Sequence, residues 1–171
     1  RNNDSQQKRF QALTAWGDMS GCSILDLGCG YGDLKLFLDQ HYHDFIYLGI
    51  DFLKEFVDEA TRRFATHLNT QFFQSDFLTA GLPEVDIAIA CGSLNYRSNN
   101  SLHPWQTISR MWEIANKGVI FNLLDIHHFA DDQVLCGYEP TQVLHFCQQL
   151  VPDAKLHTGY LTDDFTIFMR K

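Results

Sequence analysis

The chain is predicted to fold as a doubly wound α/β domain, and three observations carry that prediction. Short apolar runs rich in β-branched and aromatic residues alternate with stretches of helical apolar spacing, giving five βα-type units before two closing strand-like runs. The earliest run empties into a glycine-rich turn at Gly28, Gly30 and Gly32. Acids recur at a constant interval: Asp51 lies 25 residues after Asp26, and Asp76 lies 25 after Asp51. One βα unit per interval brings all three carboxylates to the same end of a sheet.

The elements follow in chain order. Residues 5–19 read as a helix, with Phe10, Leu13, Trp16 and Met19 on one face and Asp4 or Ser5 as cap. It can pack on the sheet edge or act as a cover over a ligand. Ile24, Leu25 and Leu27 form the first strand. Cys29 and Tyr31 stand between the glycines of the turn, and Asp33 opens a helix carrying Leu34, Phe37 and Leu38. Glycine is needed where a turn takes positive φ or brings bare backbone against a ligand. The N–H groups of the turn are expected to face that ligand.

Residues 45–51 are a fully buried parallel strand, and 53–65 a helix with Phe56, Val57, Ala60 and Phe64 inward. A third strand covers 70–74, followed by Ser75, Asp76 and Phe77. Gly81, Leu82 and Pro83 turn into a fourth strand, 85–90, with Cys91, Gly92 and Ser93 just beyond its end. Residues 101–116 are a helix with Pro104 in its first turn, and 118–124 a fifth strand. Residues 125–139 are unpatterned and are expected to be a flexible loop that walls an acceptor pocket. Pro140 opens a last helix, and 154–160 and 165–170 close the chain as two strands joined around Thr162 and Asp163. Residues 1–171 thus read as one domain, without repeats or low-complexity segments.

Composition excludes several function classes. Net charge is −8 with no basic stripe, which argues against a nucleic-acid partner. No apolar run reaches the length of a membrane span, and no secretory leader is visible. The five cysteines, Cys22, Cys29, Cys91, Cys136 and Cys147, show no C-x-x-C spacing and read as reduced thiols of a cytoplasmic protein. His127, His128, Asp131 and Asp132 cluster in sequence, but adjacent histidines point apart in regular structure and no metal is expected.

The spacing of the glycine turn separates two nucleotide ligands. A dinucleotide fingerprint has G-x-G-x-x-G, whereas here the third glycine comes one residue early and Asp33 holds its place. A carboxylate is unfavourable beside a pyrophosphate but harmless beside a positively charged ligand without phosphate. The residues DLGCGYGDL, 26–34, resemble the first motif of the class I S-adenosylmethionine-dependent methyltransferases. The resemblance implies a seven-stranded, mostly parallel sheet with helices on both faces and a C-terminal antiparallel hairpin. It implies S-adenosylmethionine as cofactor and S-adenosylhomocysteine as product.

Joined to the glycine turn, Asp51, 23 residues past Gly28, reads as the acid that accepts from the ribose hydroxyls. Phe52 is placed to pack on adenine. By resemblance Asp76 accepts from the adenine amino group, the Phe77 N–H meets the ring, and Cys91, Gly92 and Ser93 line the methionine arm. Arg1, Lys8 and Arg9 are the cations that precede the turn, and Arg9, beside the apolar anchor Phe10, is the expected partner of the cofactor carboxylate. GSLNYR stands where many DNA amino-group methyltransferases carry an Asn/Asp-Pro-Pro-Tyr tetrad, which leaves Asn95 and Tyr96 as acceptor-facing candidates. His103, His127, His128 and Tyr138 are candidate general bases. The expected function is methyl transfer to a small-molecule acceptor. The alternatives are a non-catalytic cofactor-binding protein or partner-activated subunit of the same fold, and an NAD-dependent dehydrogenase.

Overall fold

The sheet is organised by the period-two alternation of its central strands. In a computed structural model, which describes residues 3–171, seven strands run in the order β3-β2-β1-β4-β5-β7-β6. They are β1 (Ser23–Leu27), β2 (Ile46–Asp51), β3 (Thr70–Gln74), β4 (Val85–Cys91), β5 (Ala115–Leu124), β6 (Lys155–His157) and β7 (Asp164–Arg170). The first five are parallel, and β7 pairs antiparallel with both β5 and β6. This is the doubly wound, mostly parallel sheet expected from the sequence. The order reverses between β1 and β4, which opens a crevice at their carboxyl ends.

Successive side chains feed opposite cores. Ile24, Ile87, Ile89 and Ile120 face α1 (Asn3–Leu13) and α2 (Asp33–Leu38), where Phe10, Leu13, Leu34 and Phe37 meet them. Leu25, Ala88, Ala90, Val119 and Phe121 face α4 (His103–Ile114) and α5 (Pro140–Leu150) through Ile108, Met111, Val143 and Cys147. The remaining helix, α3 (Lys54–Arg63), buries Val57 and Ala60 against β2 and β3. A strand buried on both faces needs apolar residues at nearly every position, as 87–90 and 119–121 have, with Asp86 and Asn122 the polar exceptions in β4 and β5.

Three segments show the main departures from the sequence expectation. The first helix ends at Leu13, not at 19. A single 3-10 turn, Thr14–Trp16, follows, and Gly17 at φ 113° breaks the run while Trp16 and Met19 still reach the core. Strand β5 begins at Ala115 directly after α4, because a bulge between Val85 and Ile87 lets one extra residue of β5 into the ladder. Gly118 makes the bulge possible: at φ 149°, a Cβ there would lie 2.0 Å from the Met169 carbonyl oxygen. The segment 125–139 has little regular structure yet is tied down by isolated bridges between Tyr96 and Leu135 and between Asp125 and Tyr138. Among the cations named above, Arg1 lies outside the described residues. No helix among the described residues is long and apolar enough to cross a membrane.

Candidate functional site

A hollow of about 150 Å³ lies above the glycine turn, lined by residues from α1, β1, the turn and the end of β4. Arg9 enters it from α1, Asp26 from β1 and Cys91 from β4, beside Gly28, Cys29, Gly30 and Tyr31. A larger hollow of about 450 Å³ sits between α4, α5 and the loop after β3, around Trp105, Arg110 and Phe146. Two buried charges, Arg9 and Asp26, line the smaller one.

Both keep buried atoms without a hydrogen-bond partner. Asp26 is buried, and its Oδ2 accepts a hydrogen bond from the Tyr47 hydroxyl at 2.5 Å. Its Oδ1 has no partner. Burial, opposed by the Tyr47 hydrogen bond, pushes the Asp26 carboxyl up to about 7. Arg9 is 8% exposed, and its Nε and Nη1 make no hydrogen bond. Its nearest counter-charge is Asp164, at 3.9 Å. Burial pushes the Cys91 thiol up to about 12 against the pull of Arg9, so the sulfur stays protonated and neutral. Buried polar atoms are nearly always paired in native proteins, so a facing cation and acid with spare capacity point to a missing ligand.

The glycine turn works differently from the sequence expectation. The N–H groups of four of its residues are taken up within the fold: Gly28 and Cys29 both donate to the Ile50 carbonyl, at 2.7 and 3.0 Å, and Gly32 donates to the Cys29 carbonyl. The Gly30 N–H donates to Asp51 Oδ2 at 2.9 Å. What the glycines supply is close approach. A Cβ on Gly28 would lie 2.2 Å from the Ser93 Cβ, and one on Gly32 would lie 2.7 Å from the Phe64 ring. A Cβ on Gly30 would meet nothing within 4 Å, because that residue borders open space. A turn whose donors point back into the sheet is not a phosphate cradle.

The outer residues form a looser rim. Asp51 is buried, with Oδ1 accepting from the Leu53 N–H at 3.0 Å, which leaves lone pairs on both oxygens. Phe52 is 67% exposed and is not core. Asp76 is exposed and accepts from the Leu78 N–H at 2.8 Å. Phe77 is half-buried against His103, and its carbonyl is gripped by Arg110 at 2.9 Å. The Ser75 N–H donates to the Asp51 carbonyl, which ties the two rim acids' loops together. The structure thus brings Arg9, Asp26, the turn and Cys91 into one hollow, with Asp51 joined through Gly30; Phe52, Asp76 and Phe77 stand outside it.

Gly92 and Ser93 flank the turn, and the Ser93 hydroxyl donates to the Leu27 carbonyl at 2.5 Å. Asn95 is buried, and its side chain is spent on the Leu124 N–H and the Gly92 carbonyl, so it is a brace and does not face an acceptor. Tyr96 is exposed. Among the base candidates, His127 is held 2.5 Å from Glu139, and the Tyr138 hydroxyl donates to the Leu94 carbonyl. His103 keeps an unpartnered Nδ1, and burial lowers its pKa.

Sequence reasoning missed the support behind Arg9. The Gly92 N–H donates to Asn122 Oδ1, and Asn122 Nδ2 donates to Asp164 Oδ1, each at 2.7 Å. The Tyr160 hydroxyl reaches the same oxygen of Asp164 at 2.7 Å. The available signal was a lone Asn inside the apolar run 118–124. Asp33, read from the sequence as a helix start and as the acid in the third-glycine position, lines the hollow and binds Arg63 at 2.5 Å.

Comparison with known proteins agrees with this geometry. A family model described as a methyltransferase domain matches residues 24–118. A candidate methyltransferase of Mycobacterium tuberculosis is 31% identical over 160 residues, covering 87% of this chain and 93% of that protein. A candidate methyltransferase of a Geobacillus species is 30% identical over 118 residues, covering 67% of this chain and 46% of that protein. Among solved structures, magnesium protoporphyrin IX methyltransferase from Synechocystis, with bound S-adenosylhomocysteine, superposes with a TM-score of 0.75 at 17% identity, covering 98% of this chain and 84% of that one. The small RNA methyltransferase HEN1 gives 0.78 at 15% identity, covering 98% of this chain and 25% of that one. These two likenesses are of fold. From the family match and the Mycobacterium relative, the chain belongs to the methyltransferase-domain family, and its fold is that of the class I, Rossmann-like methyltransferases.

Proposed function

We propose that this chain transfers a methyl group from S-adenosylmethionine to a small-molecule acceptor. One observation carries the reading: Arg9 and Asp26, each with buried polar atoms that make no hydrogen bond, line the same hollow. An α-amino acid end, carboxylate and ammonium together, satisfies both. The hollow is smaller than the roughly 300–1,000 Å³ of pockets that enclose a drug-sized ligand, which suits an amino-acid end with the nucleoside lying on the open rim. The residues therefore fit the cofactor. Arg9 would hold its carboxylate, Asp26 its ammonium, Asp51 its ribose, and Asp76 and the Phe77 N–H its adenine, with Phe52 against the ring. Gly28, Gly30 and the segment Cys91, Gly92 and Ser93 would line the arm between them.

When bound, the cofactor supplies an electrophilic methyl group on a sulfonium. The chain's own work is then to bind, align and exclude water, and orientation alone lowers a barrier by about 7–11 kcal/mol. Of the candidate bases, His127 and Tyr138 are already engaged within the fold, whereas His103 keeps an unpartnered Nδ1.

The dehydrogenase alternative loses support because the turn presents Asp33, and no N–H from Gly28, Cys29, Gly30 or Gly32, where a pyrophosphate would need donors. Calorimetric titration of the chain separates the two. S-adenosylhomocysteine is expected to bind and NADH is not; binding of NADH alone overturns the proposal. Release of labelled methyl onto a metabolite panel then distinguishes an enzyme from a protein that only binds the cofactor.

A further inference from the structure

Arg9 and Asp26 are opposite charges in one hollow, yet they do not pair. Among the described residues the ion pair of Arg9 is with Asp164, at 3.9 Å, and none joins it to Asp26. Buried ions of opposite sign attract strongly where little water screens them. The hollow measures about 150 Å³, and an arginine side chain has enough torsions to cross it. A restraint on the guanidinium is therefore needed to keep the two apart.

The far end of the chain supplies it. Period-two alternation sends Phe121 and Leu123 of β5, and Phe165 and Ile167 of β7, into the core beneath α4 and α5. Asn122, Asp164 and Thr166, all buried, turn instead to the face that α1 covers. The Asn122 amide is used at both ends, since Oδ1 accepts from the Gly92 N–H and Nδ2 donates to Asp164 Oδ1. The Tyr160 hydroxyl donates to the same Asp164 oxygen and stands 2.9 Å from the Thr166 hydroxyl. Two donors on Oδ1 fix the plane of the carboxylate and leave Oδ2 towards Arg9.

The titratable groups around Asp26 are Tyr47 and Asp51 of β2, Cys29 of the turn, Asp33 of α2, Cys91 of β4 and Arg9 of α1. Burial raises the Tyr47, Cys29 and Cys91 groups, so all three stay neutral. Asp33 is paired with Arg63 at 2.5 Å. Arg9 is thus the cation, among the described residues lining the hollow, that is placed to neutralise Asp26.

We propose that Asp164 is a positioning residue that keeps Arg9 off Asp26, so that both charges stay open to the two ends of an α-amino acid group. Charges held apart before binding gain affinity, because the ligand breaks no internal pair. This rests on the cofactor reading above, and the test keeps the two apart. Asp164→Asn keeps the shape and an acceptor for Asn122 and Tyr160 while removing the charge. Arg9 should then fall onto Asp26. The Kd for S-adenosylhomocysteine should rise by about tenfold or more, while that for methylthioadenosine changes by about twofold or less. In an Asp26→Asn background no acid is left to fall onto, and Asp164→Asn should cost about twofold or less.

The ligand-free chain gives a second readout. The stabilisation that Asp26 contributes at low pH is lost as pH rises to about 7. In Asp164→Asn a neighbouring guanidinium should bring that loss at least about one pH unit lower, read by thermal melts across pH. Tyr160→Phe removes one donor from Asp164 and should move both readouts the same way by less, which covers the case of an Asp164→Asn chain that does not fold. The same loss of affinity in both backgrounds, equal losses for the two ligands, or melts with unchanged pH dependence would overturn the proposal. A wild-type chain that binds no S-adenosylhomocysteine, while the melts shift as expected, would overturn the cofactor reading alone.

Discussion

The two ends of the proposed cofactor site are built on opposite plans. At the inner end Arg9 and Asp26 are enclosed by α1, β1 and β4, and each keeps atoms without a hydrogen-bond partner. At the outer end Asp51 already accepts from Gly30 and Leu53, Asp76 already accepts from Leu78, and Phe52 stands mostly in solvent. In a buried setting an unpaired charge is costly until a ligand satisfies it, and each contact it then makes is strong. In an exposed setting water competes, and each contact is worth less. Affinity should therefore concentrate at the inner end.

The largest effect is expected from Arg9→Met. It should raise the Kd for S-adenosylhomocysteine by about 10–100-fold, the worth of a charge-assisted contact. Methylthioadenosine, which has the nucleoside without the amino-acid end, should change by about twofold or less by the same reasoning. Equal losses for both ligands would erase the distinction between the two ends.

Next comes the pH dependence of Asp26, whose carboxyl burial pushes up to about 7. An ammonium ligand selects the ionised form, so affinity for S-adenosylhomocysteine should rise by up to about tenfold per pH unit below 7 and level off above it. The ligand-free protein should behave oppositely. Because the folded state holds this proton more tightly than the unfolded chain, the stabilisation is fully present below about pH 4 and is lost as pH rises to about 7. Asp26→Asn should flatten both profiles, read by calorimetry and by thermal melts across pH. Profiles unchanged in the variant would assign the titration to another group.

Smaller effects belong to the rim. Asp51→Asn should weaken S-adenosylhomocysteine and methylthioadenosine alike, by about 3–10-fold, since the ribose is common to both. Asp76→Ala should cost about 2–3-fold, because its carboxylate is exposed and water replaces it. A loss at Asp76 exceeding that at Arg9 would invert the comparison.

The rim was the more legible part of the sequence. Asp51 and Asp76 sit at strand ends and repeat at a fixed interval, so topology alone predicts their shared edge. The two cores were legible for the same reason: Ile87, Ala88, Ile89 and Ala90 carry no ambiguity about a buried strand. The glycine spacing separated this turn from a dinucleotide loop, but not the direction of its N–H groups, which depends on β2 lying close enough for the Ile50 carbonyl to accept two of them. Asn95 read as an acceptor-facing residue because nothing local shows that the Leu124 N–H needs a partner. Arg9 could be chosen as a cation near the site, but its burial depends on Asp164 and Asn122, which are more than a hundred residues away in the chain. Short-range pattern encodes elements and their ends; pairing between distant polar groups needs the assembled fold.

Titrating the wild-type chain with S-adenosylhomocysteine and methylthioadenosine side by side at pH 8 tests the inner-end clamp most directly. Two charge-assisted contacts should make S-adenosylhomocysteine at least about 100-fold tighter. Equal affinity for the two ligands would contradict the assignment of Arg9 and Asp26 to the amino-acid end.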